Sequence, residues 1–212
     1  MKRPLLALIS ILVIIASGVS IYLSQRSPTA RVNLKPFEGV GQVGAESTSK
    51  LLNGSGRLVL VAYDAKSSPL EASVPAFTAE LKKFPGLSVA ATERVSMKME
   101  EMAMPEMGLK ATEYLRIVQK HGDADAIVSF VGGPSFPNQD YRQVPERRPK
   151  FVVLSGYTPQ TKSLMQAGVV NLAIVPRFEP QKAEAEPKTA REWFERFFMV
   201  VTPANMDKLP DF

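Results

Sequence analysis

The six residues LVLVAY, Leu58–Tyr63, decide the fold of this chain because they form an uninterrupted apolar run that Asp64 ends. A strand with one face in water alternates apolar and polar residues, whereas a strand covered on both faces is apolar throughout. The run is also shorter than an ordinary helix and contains residues that strands favour. The segment therefore predicts a strand at the centre of a sheet that helices cover on both faces.

The residues after this strand alternate between helical and strand patterns. Phe77, Leu81 and Phe84 share one side at helical spacing, and Pro85 ends that helix. Further strands are expected at 87–95, 126–131, 150–155, 169–175 and 197–202, and further helices at 112–122, 158–167 and 191–197. Such alternation is typical of βα units around a parallel sheet. We predict an α/β fold with a doubly wound, mostly parallel sheet of about six strands, forming one domain over residues 57–212.

Two stretches break the alternation. Residues 27–56 are interrupted by glycine, serine and proline, which predicts a flexible tether in front of the domain. Residues 132–149 hold four prolines and no apolar period. A loop of that length without its own secondary structure is usually functional or disordered.

The amino terminus carries a candidate membrane segment. Residues Leu5–Leu23 contain no charge and follow Lys2 and Arg3. At ~1.5 Å per residue, a helix of this length spans a hydrocarbon layer of ~30 Å. Residues 1–26 are therefore predicted to be a transmembrane signal anchor, with the domain in the periplasm or outside the cell and the cytoplasmic membrane as its partner. A cleaved signal peptide is the alternative, because Ala16–Gly18 offers small residues for a cleavage site.

Composition excludes several classes of function. The chain has 212 residues and a formal net charge of +5, but Lys2, Arg3 and Arg26 flank the apolar segment and leave 23 basic against 21 acidic residues elsewhere. A basic groove for nucleic acid is therefore not expected. The absence of cysteine excludes thiol catalysis and disulfides, and the single histidine, His121, excludes a histidine-rich metal site. His121 is expected at the carboxyl end of a helix, where a cation is favourable. No cofactor is expected.

Four segments, in this order along the chain, resemble the carboxy-terminal lobe of the type I periplasmic binding proteins, the sugar-binding family related to the lactose repressor. The segments are ELKKFPGLSVAAT (Glu80–Thr92), HGDADAIVSFVG (His121–Gly132), GYTPQTKSLMQAGVVNLAIVPR (Gly156–Arg177) and MVVTPANMDKL (Met199–Leu209). The resemblance covers residues 57–210 and implies a single lobe of a receptor that in the family has two.

The sequence departs from the family at three positions that bind sugar hydroxyls there. The Asn-Asp pair expected after the third strand is replaced by Gly132, Gly133 and Pro134. The acidic residue after the fourth strand is replaced around Ser155–Tyr157, and the glutamine after the fifth strand is Pro176. The resemblance thus implies the family's fold with an altered site.

In an open parallel sheet, ligands bind beyond the carboxyl ends of the strands. A ligand-binding crevice is predicted there, with these residues as its lining: Asp64, Ser67, Gly132, Gly133, Gly156, Tyr157 and Arg177. Capping of the following turn is the alternative role of Asp64. We predict a membrane-tethered, non-catalytic module that recognises a small polar ligand or an envelope protein.

Two alternatives come from other classes of function. Met97, Met99, Met102 and Met104 lie close together, and clustered thioethers suit Cu(I). A methionine-rich copper-binding envelope protein is therefore the first alternative, although flexible methionines also fill loops over a core. An enzyme on the same scaffold is the second alternative, because this type of fold hosts many chemistries, but no catalytic constellation is recognisable.

Overall fold

A six-stranded sheet forms the centre of the protein in a computed structural model, which describes residues 33–64, 69–96, 108–154, 158–179 and 186–210. The strands, in chain order, are β1 (Gly56–Tyr63), β2 (Leu87–Val95), β3 (Leu109–Lys110), β4 (Ala126–Ser129), β5 (Pro134–Ser135), β6 (Lys150–Val153), β7 (Leu172–Pro176) and β8 (Phe198–Val201). The main sheet has the order β2-β1-β4-β6-β7-β8, and β3 pairs with β5 in a separate two-stranded ribbon. All pairings in the main sheet are parallel except that of β7 with β8. The predicted doubly wound, mostly parallel sheet is confirmed.

Helices cover both faces of this sheet. They are α1 (Lys35–Leu51), α2 (Ser73–Leu81), α3 (Ala111–Lys120), α4 (Thr161–Gln166) and α5 (Ala190–Phe197), with short 3-10 turns at Pro69–Ala72, Pro137–Gln139 and Met206–Lys208. The apolar side chains of α1, α2 and α5 share one buried cluster with one face of the sheet. Those of α3 and α4 form a second cluster on the other face.

β1 contributes to both clusters, as its apolar sequence predicts. Leu58 and Leu60 pack with α1, α2 and α5, whereas Val59 and Val61 pack with α3 and α4. All four side chains are buried, so the strand has no face in water. Burial of this kind is the main stabilising contribution to such a core.

The prediction of a flexible tether over residues 27–56 is wrong for residues 35–51, which form α1. The glycines that interrupt the apolar period of this segment are packing positions. A Cβ atom on Gly39 would collide with the carbonyl oxygen of Ala190 in α5, and one on Gly41 with the carbonyl oxygen of Ser73 in α2. A Cβ on Gly44 would lie 2.7 Å from Cδ1 of Leu154. The missing side chains therefore let this helix lie close to its neighbours, which offsets the low helix propensity of glycine.

The long irregular stretch 132–149 is also more ordered than its sequence predicts. Its first part contains β5 and a 3-10 turn, and Phe136 is buried. The Phe136 ring packs edge to face against Tyr114 and Tyr141, at centroid distances of 5.7 and 5.4 Å. The Gln160 side chain fixes the same residue by accepting a bond from its N–H and donating one to its carbonyl oxygen, both of 3.0 Å. One aromatic anchor and one amide clamp thus hold the loop on the sheet's α3 and α4 face.

Across the described ranges, no helix combines the length and apolar content that a bilayer crossing requires. The segment Leu5–Leu23 lies outside those ranges, so the anchor stays a prediction from sequence.

Candidate ligand-binding crevice

The strand order fixes where a ligand site is expected. The chain leaves β1 towards β2 on one side, then crosses over β1 to β4 and continues towards β6 on the other side. The switch point of the sheet therefore lies between the carboxyl ends of β1 and β4, where ligands of open α/β sheets bind. Two clefts lie near this edge, and the start of α3 contributes to both, since Lys110 lines one cleft and Ala111 the other.

The larger cleft has a volume of about 540 Å³ and lies between the start of α3 and the ordered loop. Its lining residues are Ala111, Phe136, Pro137, Asn138, Gln139, Asp140, Arg142 and Gln143. Five of these side chains carry hydrogen-bonding groups, and the proline and phenylalanine add apolar surface. Ligand pockets commonly combine apolar walls with a few convergent polar groups.

Asp140 and Arg142 form a forked ion pair on this cleft. Arg142 donates from Nε to Oδ1 and from Nη2 to Oδ2 of Asp140, both over 2.8 Å, and its backbone N–H donates to Oδ1 over 3.2 Å. These bonds lower the pKa of Asp140 to about 2, so the carboxylate is ionised at neutral pH. The Arg142 side chain is 89% exposed, and water screens such a pair strongly. The pair therefore places acceptors and donors side by side on the cleft, and separating the two groups costs little.

Two residues of the same turn adopt a backbone conformation that is rare for side-chain-bearing residues. Asn138 and Gln139 both have a φ of 53°, in the left-handed region. Each such residue costs on the order of 1 kcal/mol, and such costs cluster at binding sites. Hydrogen bonds of 3.2 Å from Gln139 N to Phe136 O and from Asp140 N to Pro137 O hold the turn in this shape.

The smaller cleft has a volume of about 320 Å³ and lies at the carboxyl ends of β1 and β2. Its lining residues are Tyr63, Arg94, Val95, Ser96, Gly108, Lys110, Thr112 and Glu113. The Tyr63 hydroxyl donates to the carbonyl oxygen of Val131 over 3.0 Å, and Arg94 Nη1 donates to the carbonyl oxygen of Tyr63 over 2.9 Å. Burial raises the pKa of Tyr63 to about 12, so this hydroxyl stays neutral.

A network of charges fixes α3 to β2 beside the smaller cleft. Glu93 accepts bonds of 2.7 Å from Lys120 Nζ, of 2.7 Å from His121 Nε2 and of 3.1 Å from Arg116 Nη2. The bonds from Lys120 and His121 are the largest causes that lower the pKa of Glu93, to about 2. His121 is the carboxyl cap of α3, as predicted, but its carboxylate partner was missed. The two residues are 28 positions apart, so no local spacing links them.

The described residues of the predicted crevice lie at the carboxyl edge without lining either cleft. Asp64 is exposed, and its N–H extends the pairing of β1 with β2 by donating to Val95 O over 3.0 Å. The carbonyl oxygen of Gly132 accepts from Ser129 Oγ over 2.7 Å, and that of Gly133 accepts from Leu109 N over 3.0 Å. These two glycines are buried and lead into the β3–β5 ribbon.

Arg177 makes its contacts with α5. Its Nε donates to the carbonyl oxygen of Glu195 over 2.9 Å, near the carboxyl end of that helix, where a cation is favourable. The remaining predicted residues, Ser67, Gly156, Tyr157, Met97, Met99, Met102 and Met104, lie outside the described residues. Within the described ranges, no group of three or more histidine, aspartate and glutamate side chains is placed to hold a metal ion.

Sequence reasoning missed the residues that do line the clefts. Arg94 was detectable in principle, because it lies at the carboxyl end of a predicted strand. The polar run of the larger cleft, residues 138–143, lies inside the loop that the sequence marks as a candidate for function. No periodic signal indicates which of its side chains share a cleft, since a short 3-10 turn at Pro137–Gln139 and the irregular residues after it position them.

No protein-family model and no curated protein sequence matches this chain. Solved structures do match it. An ABC transporter solute-binding protein from Burkholderia graminis, crystallised with D-arabinose, gives a TM-score of 0.55 at 17% identity over 80% of this chain and 60% of its own. An arabinose-binding protein from Geobacillus stearothermophilus gives 0.54 at 13% identity over 82% and 63%, respectively. The sugar-binding protein of a sugar ABC transporter from Bacillus halodurans gives 0.55 at 14% identity over 81% and 63%.

These matches show the fold. The chain spans 60% to 63% of the length of these neighbours. Its mostly parallel six-stranded sheet is that of a periplasmic-binding-protein-like lobe, so the resemblance found in the sequence is confirmed at the level of the fold.

Proposed function

We propose that this protein is a non-catalytic binding module that takes a small, neutral, polyhydroxylated ligand in the larger cleft. The observation that carries the proposal is that five residues with polar side chains, including the Asp140–Arg142 fork, line a cleft of about 540 Å³. This volume lies within the range of ~300 to ~1,000 Å³ that small-molecule pockets occupy. Adjacent hydroxyl groups of a sugar-like ligand both donate and accept, which matches a carboxylate beside a guanidinium.

The neighbours support the same class of ligand. One was crystallised with D-arabinose, and another is an arabinose-binding protein. In this chain the polar groups come from the loop after β4 and not from the strand ends, so the same scaffold offers a differently placed set of donors and acceptors.

The test is equilibrium binding of neutral monosaccharides, with D-arabinose as the first probe, to the purified full chain. The Asp140→Asn variant removes the fork's charge and keeps its shape. A hydrogen bond to a charged group contributes ~1.5–3 kcal/mol, so the affinity should fall by about tenfold or more. Asp123→Asn is the matched control, because Asp123 is an exposed carboxylate paired with Arg57 Nη1 over 2.9 Å outside both clefts.

Two results would reject this function. One is that no neutral sugar or polyol of the panel binds saturably. The other is that a sugar binds equally well to the wild type, Asp140→Asn and Asp123→Asn, since the cleft would then not be its site.

We also propose that residues 5–23 anchor the module in the cytoplasmic membrane, with the domain in the periplasm or outside the cell. The support is the charge-free apolar run behind Lys2 and Arg3. Protease added to intact spheroplasts should digest a carboxy-terminal epitope. Protection of that epitope until the cells are lysed would place the domain in the cytoplasm and contradict the proposal.

A further inference from the structure

The loop that lines the larger cleft is bonded along its length to the α4 segment. We propose that Gln160, which caps α4, and Ser163 within it are positioning residues, which hold residues 136–143 in the shape that a ligand of the larger cleft meets. Neither residue belongs to the described lining of the cleft. Their role in binding rests on the proposed function, but the hold on the loop can be measured without a ligand.

Gln160 bonds to both backbone groups of Phe136, at the start of the loop. Its Oε1 accepts from the Phe136 N–H, and its Nε2 donates to the Phe136 carbonyl oxygen, both over 3.0 Å. Because one planar amide makes both bonds, it fixes the position and the direction of the backbone at this residue. The 3-10 turn Pro137–Gln139, which contributes polar residues to the cleft, begins directly afterwards.

A second contact holds the loop at Tyr141. The Tyr141 hydroxyl lies 2.8 Å from Ser163 Oγ. The single hydrogen of Ser163 Oγ is donated to the carbonyl oxygen of Gln160 over 2.9 Å, so the Tyr141 hydroxyl donates to Ser163. One hydrogen-bond network therefore leads from Tyr141 through α4 back to Phe136. The network is closed by the rings of Tyr141 and Phe136, which pack edge to face at 5.4 Å.

Tyr141 also sets the direction of the charged fork on the cleft. Asp140 and Arg142 are its neighbours on either side, and both line the cleft, whereas the Tyr141 hydroxyl is bonded to α4. Asp140 has an extended backbone, in which successive side chains point to opposite sides. The loop therefore turns one side towards α4 and the other towards the cleft, so that holding Tyr141 holds the fork.

A third contact follows the same course. Arg148 Nη2 donates to the carbonyl oxygen of Gly168 over 2.7 Å. The loop thus runs beside the α4 segment in the same direction, with its residues 136, 141 and 148 bonded to residues 160, 163 and 168. The segment is itself fixed, because Leu164 and Met165 are buried in the core on this face of the sheet.

Such a loop is ordered before the ligand arrives. A loop that is free in solution loses conformational freedom when it binds, and that loss lowers the affinity. Cutting one of the contacts should therefore weaken binding although every polar group of the cleft is still present. For one hydrogen bond of ordinary strength, the expected loss is about two- to tenfold in affinity.

The first experiment measures amide hydrogen exchange of the full chain without ligand. Tyr141→Phe and Ser163→Ala should speed exchange in peptides that cover residues 136–143 and leave β1 as protected as in the wild type. Ser163→Thr keeps the hydroxyl and should retain most of the protection. Ser73→Ala is the matched control, because Ser73 Oγ makes a comparable bond of 2.9 Å to the carbonyl oxygen of Phe37 on the opposite face of the sheet.

Gln160→Glu adds a pH profile, which a general loss of packing would not produce. At pH 7 the introduced carboxylate accepts from the Phe136 N–H but has no hydrogen for the carbonyl oxygen, so residues 136–143 should exchange faster than in the wild type. Protonation near pH ~4.3 restores a donor, so this difference should shrink as the pH falls to ~4. The fork stays charged there, since the pKa of Asp140 is about 2.

The second experiment is equilibrium binding of D-arabinose to the same variants. Tyr141→Phe and Ser163→Ala should bind about two- to tenfold more weakly than the wild type, and Ser73→Ala should bind equally well. If the wild type binds no sugar, the role in binding is lost together with the proposed function, and the exchange data alone decide whether α4 holds the loop.

Three results would overturn the positioning role. The first is that residues 136–143 exchange in Tyr141→Phe and Ser163→Ala as slowly as in the wild type. The second is that the exchange difference of Gln160→Glu stays the same from pH 7 to ~4. The third is that D-arabinose binds with wild-type affinity to variants whose loop exchanges faster, because the order of the loop would then not matter to the ligand.

Discussion

Replacing Gly41 by alanine should destabilise the protein, although alanine is the better helix former. A Cβ at this position would collide with the carbonyl oxygen of Ser73 and lie 2.8 Å from both the Cβ of Ala76 and the N of Phe77. These atoms belong to the α2 backbone or are fixed to it, so none can rotate away. Overpacking of this kind costs up to ~3 kcal/mol, and the gain in helix propensity returns ~1 kcal/mol. The net loss should be about 2 kcal/mol.

Thermal unfolding of the full chain, followed by circular dichroism in mild detergent, measures this loss. For a domain of this size, ~2 kcal/mol corresponds to a fall of ~4–8 °C in melting temperature. Lys50→Ala is the control in the same helix, because Lys50 is exposed, and it should change the stability by less than ~0.5 kcal/mol. If Gly41→Ala melts at or above the wild-type temperature, residues 35–51 do not pack as α1 and the tether predicted from sequence is correct.

Two further predictions concern a partly buried carboxylate and a buried hydroxyl. The Glu93 carboxylate, whose pKa in the folded protein is about 2 against 4.5 ordinarily, stabilises the fold at pH above ~4.5, and this contribution disappears as the pH falls towards ~2. Its partners Arg116 and Lys120 are 46% and 55% exposed, so we expect Glu93→Gln to lower the free energy of unfolding by only about 1–2 kcal/mol at pH 7, measured by urea unfolding. The variant should also lose less stability than the wild type as the pH falls below ~4.5. An equal loss of stability at acid pH in the two proteins would contradict this prediction. The Tyr114 hydroxyl is buried without a hydrogen-bond partner in the described structure, so Tyr114→Phe should raise the stability by about 1 kcal/mol, and a loss of stability in the same assay would reveal a partner.

The elements that the sequence predicts are those whose burial leaves a recognisable pattern of apolar residues. β1 is apolar throughout because both of its faces are covered, and α3 shows its helical spacing because one face packs on the sheet. α1 was missed because its close packing depends on Gly39, Gly41 and Gly44, which look like helix breakers in sequence. These glycines act as packing positions because α2, α5 and Leu154 lie against them, and the sequence alone does not show that contact.

The two clefts lie near the edge of the sheet where the crevice was predicted, and residues other than the predicted ones line them. Topology alone gives the edge, because the carboxyl ends of parallel strands meet there. The lining depends on two-residue strands and on a left-handed turn at Asn138 and Gln139, and neither produces a pattern long enough to detect. The pairing of Glu93 with His121 was missed for a similar reason, since it requires the register of α3 on β2.

The position of the glycines at the switch point explains why the polar groups of the larger cleft lie in a loop. The carbonyl oxygens of Gly132 and Gly133 accept bonds from Ser129 and Leu109. The backbone at this point therefore leads into the β3–β5 ribbon. The two strands of this ribbon continue into α3 and into the loop of the larger cleft. The sheet positions both clefts, but residues outside its strand ends supply the polar groups of the larger cleft. Residues 136–143 can therefore vary without loss of the frame, as is common for loops on a rigid scaffold.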